Sequence, residues 1–438
     1  MAIFKSFKGG INTGHTKNTR NNATIKMKVP PKVVIPMLQH IGAVCTPLVR
    51  KGDSVKVGQK IGDSEAFVSS PVHSSVSGIV TEVRPYLYSS GIEVQAVEIE
   101  TDGKQELYEG IKIPELTDKQ ATLKAIRESG VVGLGGAGFP THVKLSPPKD
   151  KKIDYLVVNG AECEPYITSD FREMLENTDE IIEGILIVKN LLEAEKAFLC
   201  IEKNKPEAIK LFREKLKGTD DIEIIGLTTL YPQGAEKQLI YSATKRKVPS
   251  GGLPSDVGIV VQNINTLSFI SRYFKTGRPL IEKRITVDGT AVANPANVMV
   301  PIGTSMRDVF DFCGGLKEKP SKIIMGGPMM GVAQYSIEMP VLKQTNALLA
   351  FDEKSSRLEE ESVCLRCGKC VRACPMNLMP LFINQNIVRG DLEGVRSYNA
   401  NDCIECGCCS YVCPAKRHLV QSVRLAKSQL RSYGKGGK

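Results

Sequence analysis

The sequence predicts a multidomain α/β + β protein: a β-rich first unit, an α/β body, a short third unit and a cysteine-bearing helical module. Three observations lead there. The first hundred residues break into short apolar runs separated by Gly, Pro and Ser. From about residue 110 strand-like and helix-like apolar periods alternate. Nine of the thirteen cysteines fall between Cys364 and Cys413.

The first domain is expected over 1–108. Within it PLVRKGDSVKVGQKIGDS and SPVHSSVSGIVTEV are two strand-rich halves with Gly-Asp and Ser-Gly turns, as in a small β-sandwich. They resemble the halves of a biotinyl/lipoyl-like barrel-sandwich hybrid. Carrier versions of that fold present a lysine at the tip, and the tip here, DSEAFVSS, has none. A scaffolding role is expected.

The second domain is expected over 109–275. TDKQATLKAIRESG reads as a helix with a Thr117–Gln120 capping box and a stop at Gly130. DYLVVN, AFLCIE and IEIIGLT read as strands. Between them lie a helix with Ile181, Ile185, Val188 and Leu192 on one side, and PEAIKLFREKLKG. This alternation indicates a largely parallel sheet covered by helices. A third unit over 276–348 begins with RITVDGTAV, read as a hairpin turning at Asp288-Gly289, then the helix SMRDVFDFC and the strand KIIMGG. The last domain, 349–438, holds the cysteines and a basic C-terminal helix.

Those cysteines form two runs, CLRCGKCVRACP and CIECGCCSYVCP, both of the pattern C-x2-C-x2-C-x3-C-P that binds [4Fe–4S] clusters. In that pattern the fourth cysteine of each run ligates the other cluster. One set is therefore Cys364, Cys367, Cys370 and Cys413, and the other Cys403, Cys406, Cys409 and Cys374. Two zinc sites are the alternative, but four-ligand zinc sites do not call for two complete runs ending in Pro. Cys408 reads as a bystander, and Cys45, Cys200 and Cys313 as core. The intervening LMPLFINQNIVRGDLEGVRSYNA is helical in character, which points to an α-helical two-cluster module.

GLGGAGFPTHVK contains Gly133, Gly135 and Gly138 in dinucleotide-fingerprint spacing. That fingerprint requires a strand before it and a helix opening on its last glycine. Here a helix precedes it and Pro140, Pro147 and Pro148 follow, so the Rossmann reading fails. A flexible surface loop and a backbone approaching a flat ligand or phosphate remain the two readings. NGAECEP, at the C-terminal end of the strand DYLVVN, favours a ligand crevice, because open α/β sheets bind there.

Together GLGGAGFPTHVK and VVNGAECEP resemble the flavin-binding subunit of respiratory complex I and NAD-linked hydrogenases. The resemblance implies noncovalent FMN with NAD(H) stacked on it. It places Gly133, Gly135, Gly136, Gly138 and Phe139 at the flavin and nicotinamide, and Lys144 near phosphate or the nicotinamide end. Asn159 and Glu162 fall near FMN and Glu164 near the nicotinamide carboxamide. YPQGAEKQL and VVQNINTL resemble the next flavin-site segments, which adds Gly234, Glu236, Asn263 and Thr266. Ala161 and Ala235 replace acids of that pattern, and Cys163 replaces a serine.

FKGGI, the β-rich halves, the flavin segments, GGPMMG and the two cysteine runs follow the order of the C subunit of the Rnf complex. That resemblance implies a β-grasp soluble-ligand-binding fold for 276–348. It also implies a peripheral subunit on the cytoplasmic side of the membrane that passes electrons between NAD(H), FMN and two [4Fe–4S] clusters. Partners would be the other Rnf subunits, membrane-embedded ones included, and ferredoxin indirectly. HTKNTRN departs from the proline-containing stretch expected after the first glycines. A soluble flavo-iron-sulfur reductase of the same family, serving cobalamin or proline reductase, is the alternative. A cluster-bearing adaptor with a vestigial flavin fold is a third.

Bulk properties agree with a peripheral protein. No apolar run approaches the roughly 18 residues that span a bilayer, and no signal-peptide core opens the chain, so a cytoplasmic address is expected. The net charge is +10, and neither residues 1–52 nor the stretch after Glu405 carries Asp or Glu. Such basic ends fit lipid headgroups or an acidic protein. No nucleic-acid partner is expected, since there is no Trp and no binding motif. No catalytic acid or base is nominated, since the chemistry would be the cofactor's.

Overall fold

The computed structural model describes residues 6–14 and 16–435. The extreme ends of the first and last expected domains lie outside the described residues.

Lys32–Pro36, Glu93–Thr101, Gly78–Leu87 and Ser54–Val55 form a four-stranded antiparallel sheet, in that order. A three-stranded sheet of Thr46–Pro47, Lys60–Asp63 and Val72–His73 accompanies it. Ile35, Ile61, Val72, Val80, Val97 and Ile99, from both sheets, share one fully buried core. This is the expected barrel-sandwich.

The body is a parallel sheet in the order Ile222–Leu227, Lys196–Glu202, Tyr155–Gly160, Ile259–Asn263. Strand alternation divides its side chains between two faces. Leu156 and Val158 pack with Ile181, Ile185, Leu267 and Ile270 from helices Thr178–Leu191 and Ile264–Thr276. Val157 packs with Leu239 and Ile240 of helix Glu236–Thr244 on the other face. Because the first strand pairs with both the second and the last, the strand order reverses at Tyr155–Gly160. Ligand crevices open at such switch points.

Two sequence expectations change. The helix Lys119–Glu128 is capped by Asp118, whose carboxylate accepts from the Ala121 amide at 2.8 Å. Thr117 lies one residue too early for that bond. The third unit does not turn tightly at Asp288-Gly289 either. Glu282–Asp288 pairs with Ala296–Pro301, Val287 opposite Ala296, so the connection spans several residues. Gly289 (φ +118°) runs against Ala350, where a Cβ would collide with the carbonyl; only glycine takes that path.

The third unit's mixed sheet runs Ile25–Lys26, Ala296–Pro301, Glu282–Asp288, Ala347–Phe351, Lys322–Met325, Val332–Ala333. Ile25–Lys26 thus belongs to this sheet, not to the barrel. The cysteine module packs helix Pro380–Val388 and the long helix Leu419–Lys435 around Ile383, Val395, Val423 and Ala426.

Residues 9–11 form a seam between body and module. The Gly10 amide donates to Ala373 O at 2.9 Å, and Ile11 exchanges backbone bonds with Tyr231 at 2.8 and 3.0 Å. Both glycines have positive φ, and Cβ atoms on them would sit 2.7 Å from Cys374 O and Tyr231 O. The Gly-Gly pair is what lets the two domains close on this strand.

Candidate functional site

A cavity of about 710 Å³ opens at the carboxyl ends of Tyr155–Gly160 and Ile259–Asn263, within the usual range for small-molecule sites. Its walls come from every domain: the glycine loop and NGAECEP turn, the GGPMMG loop and Gln344–Asn346, the barrel hairpin around Tyr88, and Ile404 of the cysteine module.

The glycine loop is held from below. Gly133 N donates to Phe139 O (2.8 Å) and Gly138 N to Gly133 O (3.2 Å), closing it on itself. The Thr266 hydroxyl accepts from Leu134 N at 3.0 Å, and buried Lys283 donates to Leu134 O at 3.0 Å. Gly136 (φ +114°) and Gly138 (φ +65°) need their left-handed backbone. Gly135, Gly136 and Ala137 face the cavity. After the loop, Thr141–Lys144 makes a single helical turn entered through Pro140.

The NGAECEP turn is fixed by groups distant in sequence. Asn159 Nδ2 donates to Gly234 O at 2.9 Å, and its Oδ1 accepts from Ala161 N at 3.1 Å. Lys17 Nζ reaches the carbonyls of Glu162, Glu164 and Ile167 at 2.9, 2.9 and 2.5 Å. Burial pulls the Lys17 pKa down while the Glu162 charge opposes it. The Glu162 carboxylate caps helix Ser169–Glu176 through the amides of Asp170 (2.7 Å) and Phe171 (3.3 Å). Burial nonetheless raises its pKa to about 7. Asn263 and Asn265 hold Asp170 in turn at 2.8 and 2.6 Å. Burial keeps the Cys163 thiol protonated, its pKa pushed up to about 12.

Glu164 accepts from the amides of Met329 (3.0 Å) and Met330 (2.9 Å) in the GGPMMG loop. Burial raises its pKa to about 7 against those two bonds. A side chain on Gly327 would collide with this carboxylate.

The nine cysteines of the two runs line two further voids. Cys364, Cys367, Cys370 and Cys413 line one; Cys374, Cys403, Cys406 and Cys409, with Cys408 among them, line the other. All are free thiols. Among the described residues no three His, Cys, Asp or Glu side chains converge as a single-ion site requires. Each set of cysteines lines its own void. The second cage abuts the cavity: Ile404 lines both, and the Tyr231 hydroxyl donates to Cys406 O at 2.9 Å. Met329 packs there with Tyr231, Cys406 and Cys408. Cys408 also lines this cage, and its thiol turns toward Tyr231 O at 3.9 Å.

Of the residues named from sequence, Gly135, Gly136, Asn159, Glu162, Glu164, Gly234, Glu236 and Asn263 line the cavity. Gly133, Gly138 and Thr266 shape the loop from behind. Phe139 is absent from the lining and contributes the carbonyl that closes the loop. Lys144 pairs with Glu236 at 2.6 Å beside the cavity instead of reaching in. Sequence reasoning did not nominate Lys17, Tyr231, Gln344, Asn346 or the Tyr86–Ser90 hairpin. Two of them carried a signal: Lys17 lies in HTKNTRN, a local departure from pattern, and Tyr231 opens the quoted segment YPQGAEKQL.

The cavity fits a flat, polar-edged cofactor. It offers glycine backbone at positive φ, and Gln344 Oε1 lines it buried without a partner. The cages fit four-thiolate clusters by their donor sets.

Family models and curated relatives give matches over nearly the whole chain. Family models match as follows: an RnfC barrel sandwich hybrid domain at residues 5–104, a Nuo51 FMN-binding domain at 126–272, an SLBB domain at 284–333 and a 4Fe-4S dicluster domain at 357–414. The C subunit of the proton-translocating ferredoxin:NAD(+) oxidoreductase complex of Clostridium ljungdahlii is 48% identical, covering 99% of this chain and 95% of that one. Its Na(+)-translocating counterpart from Acetobacterium woodii is 44% identical, covering 97% of each. Among solved structures, an NAD+-reducing [NiFe]-hydrogenase in the H2-reduced state aligns at 18% identity and a TM-score of 0.48, covering 72% of this chain and 61% of that one.

Proposed function

For this chain, which belongs to the family of C subunits of ion-translocating ferredoxin:NAD(+) oxidoreductase (Rnf) complexes, we propose the role of NAD(H)-reactive electron-transfer subunit. It holds FMN in the cavity and two [4Fe–4S] clusters in the cysteine cages. The observation that carries this reading is adjacency: Ile404 lines both the cavity and the Cys374/Cys403/Cys406/Cys409 cage, and Tyr231 on the cavity wall bonds the Cys406 carbonyl.

Bound FMN supplies exchange between a hydride pair and single electrons. The chain's own residues bind, orient and insulate. Gly135, Gly136 and Ala137 let the backbone approach a flat ring, while Thr266 and Lys283 stop the loop from moving. Lys17 and Asn159 fix the opposite turn. Tyr231, Ile404 and Met329 fill the space between cavity and cage, excluding water from the electron path.

The cage beside Tyr231 stands first in the path and the Cys364/Cys367/Cys370/Cys413 cage second. No described helix is long and apolar enough to cross a membrane, so ion movement is assigned to partner subunits. The chain docks with them peripherally on the cytoplasmic side, and its basic ends are offered to them or to lipid headgroups. Anaerobic purification tests the whole. About eight irons and one dissociable FMN per chain are expected, with the flavin bleached by NADH. Clusters without flavin after reconstitution would overturn the reading.

A further inference from the structure

The barrel's two longest strands, Gly78–Leu87 and Glu93–Thr101, reach past the barrel they belong to. Strand Lys32–Pro36 accompanies them only as far as the Pro36–Ala96 pair. Beyond it, Pro85–Gln95, Tyr86–Val94 and Leu87–Glu93 form a two-stranded ribbon, which alone is marginal in water.

Contacts with a different domain hold this ribbon in place. The Tyr86 ring packs against the core of the third unit, and its hydroxyl donates to Met339 Sδ at 3.0 Å. Tyr335 donates to Leu87 O at 2.8 Å, and Ser89 Oγ donates to Gln334 Oε1 at 2.6 Å. Tyr88 bonds back to Leu38 O and meets Tyr86 edge to face, centroids 5.5 Å apart. Leu87 and Ile92 are left exposed. The arm is thus anchored with its Tyr86–Ser90 face forming one wall of the cavity.

That wall differs chemically from the rest. Glu162, Glu164, Asp170, Glu236 and Lys237 charge the cavity elsewhere. The arm contributes two oriented aromatic rings and two serine hydroxyls, joined by the Gln334 amide and the Met339 thioether. A flat, neutral, hydrogen-bonding group suits such a surface; a phosphate or carboxylate does not. The end of the cavity by Tyr231 and Ile404, next to the cage, is where the electron-accepting ring belongs. A substrate whose reactive end stacks there must place its far end elsewhere.

We infer that the Tyr86–Ser90 end of the barrel hairpin forms the subsite for the purine base of the dinucleotide. The inference rests on the NAD(H) reading above. It gives the barrel a second task, as a substrate-selecting wall contributed across a domain boundary.

The experiment compares anaerobic binding of NADH and of reduced nicotinamide mononucleotide, which lacks the adenosine half, to the flavin-loaded full chain. Tyr88→Leu weakens NADH about tenfold and leaves the mononucleotide within about twofold. Tyr88→Phe keeps the ring and keeps NADH affinity. Ser90→Trp, at an exposed rim position, fills the subsite without touching the core and produces the same split. Wild-type protein that binds neither ligand overturns the NAD(H) reading. Wild-type protein that binds NADH no more tightly than the mononucleotide overturns the arm assignment. So do variants that lose both ligands equally, or neither.

Discussion

The Tyr231 hydroxyl, on the wall of the cavity, donates to the backbone carbonyl of Cys406 at 2.9 Å. One side chain therefore touches both the proposed flavin chamber and the cage next to it. Tyr231→Phe removes only the bond, at about 1 kcal/mol. Stopped-flow absorbance should show flavin bleaching by NADH at the wild-type rate and slower reduction of the clusters. Equal slowing of both phases would refute the bridging role.

The two cages make opposite predictions. Cys406→Ser and Cys367→Ser should each lower iron from about eight to about four per chain. With Cys406→Ser the remaining cluster should no longer be reduced by NADH on a catalytic timescale. With Cys367→Ser the remaining cluster should still be reduced. Iron analysis with freeze-quench electron paramagnetic resonance reads both outcomes.

Gly138 sits at φ +65° with Gln344 against it, whereas Gly218, at φ +84°, has open space around it. Alanine at either should cost about 1–2 kcal/mol from left-handed backbone strain. Only Gly138→Ala should also lower FMN occupancy, measured as flavin released per chain. Equal occupancy in both variants would show the loop to be a spacer.

Lys17 serves two carbonyls of the NGAECEP segment, Glu162 and Glu164, and that of Ile167 just beyond it. Lys17→Met keeps the length of the side chain and strands those acceptors, at about 1–3 kcal/mol each if buried. Lower denaturant midpoints are expected, together with weaker FMN retention on gel filtration. Normal flavin content would mean the turn holds its shape alone.

Glu164 carries a pKa raised to about 7 from an ordinary 4.5, burial being the cause. Between those values the native state binds the proton and the unfolded chain does not. Stability therefore rises as pH falls through about 7 and stops rising near 4.5, by at most about 1.4 kcal/mol per pH unit from this group. Glu162 adds a slope of the same sign. Denaturant unfolding from pH 8 to about 6 should show a shallower slope in Glu164→Gln than in the wild type.

The parts of the site legible in the sequence are those whose chemistry is written in consecutive residues. The spacing of Cys364 to Cys374 and Cys403 to Cys413 groups the thiols into the same two sets that line the two cages. Gly135, Gly136, Asn159 and Glu162 sit in short contiguous segments whose form survives folding. Thr266 shows the limit of that logic: it belongs to a site segment, yet its hydroxyl supports Leu134 from behind. Segment likeness does not separate lining from scaffolding.

What escaped the sequence was placed by long-range closure. Lys17 lies 145 residues from Glu162, and nothing local to HTKNTRN says which carbonyls it will meet. Tyr86 and Tyr88 read as alternating residues of an ordinary strand, since neither periodicity nor composition marks where a hairpin outruns its barrel. The Asp288-Gly289 expectation failed for a related reason. The dipeptide fits a tight turn, but Gly289 is needed to clear the Ala350 carbonyl of a neighbouring strand.

The seam at Gly9, Gly10 and Ile11 has a consequence for assembly. Its partners, Ala373 and Cys374, are translated several hundred residues later. Ile11 can pair with Tyr231 of the body early, but the Gly10 bond to Ala373 must wait until the cysteine module is in place. A cysteine module left unformed for want of iron or sulfide is expected to leave the Gly9–Gly10 side of the seam without its partner. Proteolytic sensitivity at that end would then report, from outside, whether the metal wiring had been installed.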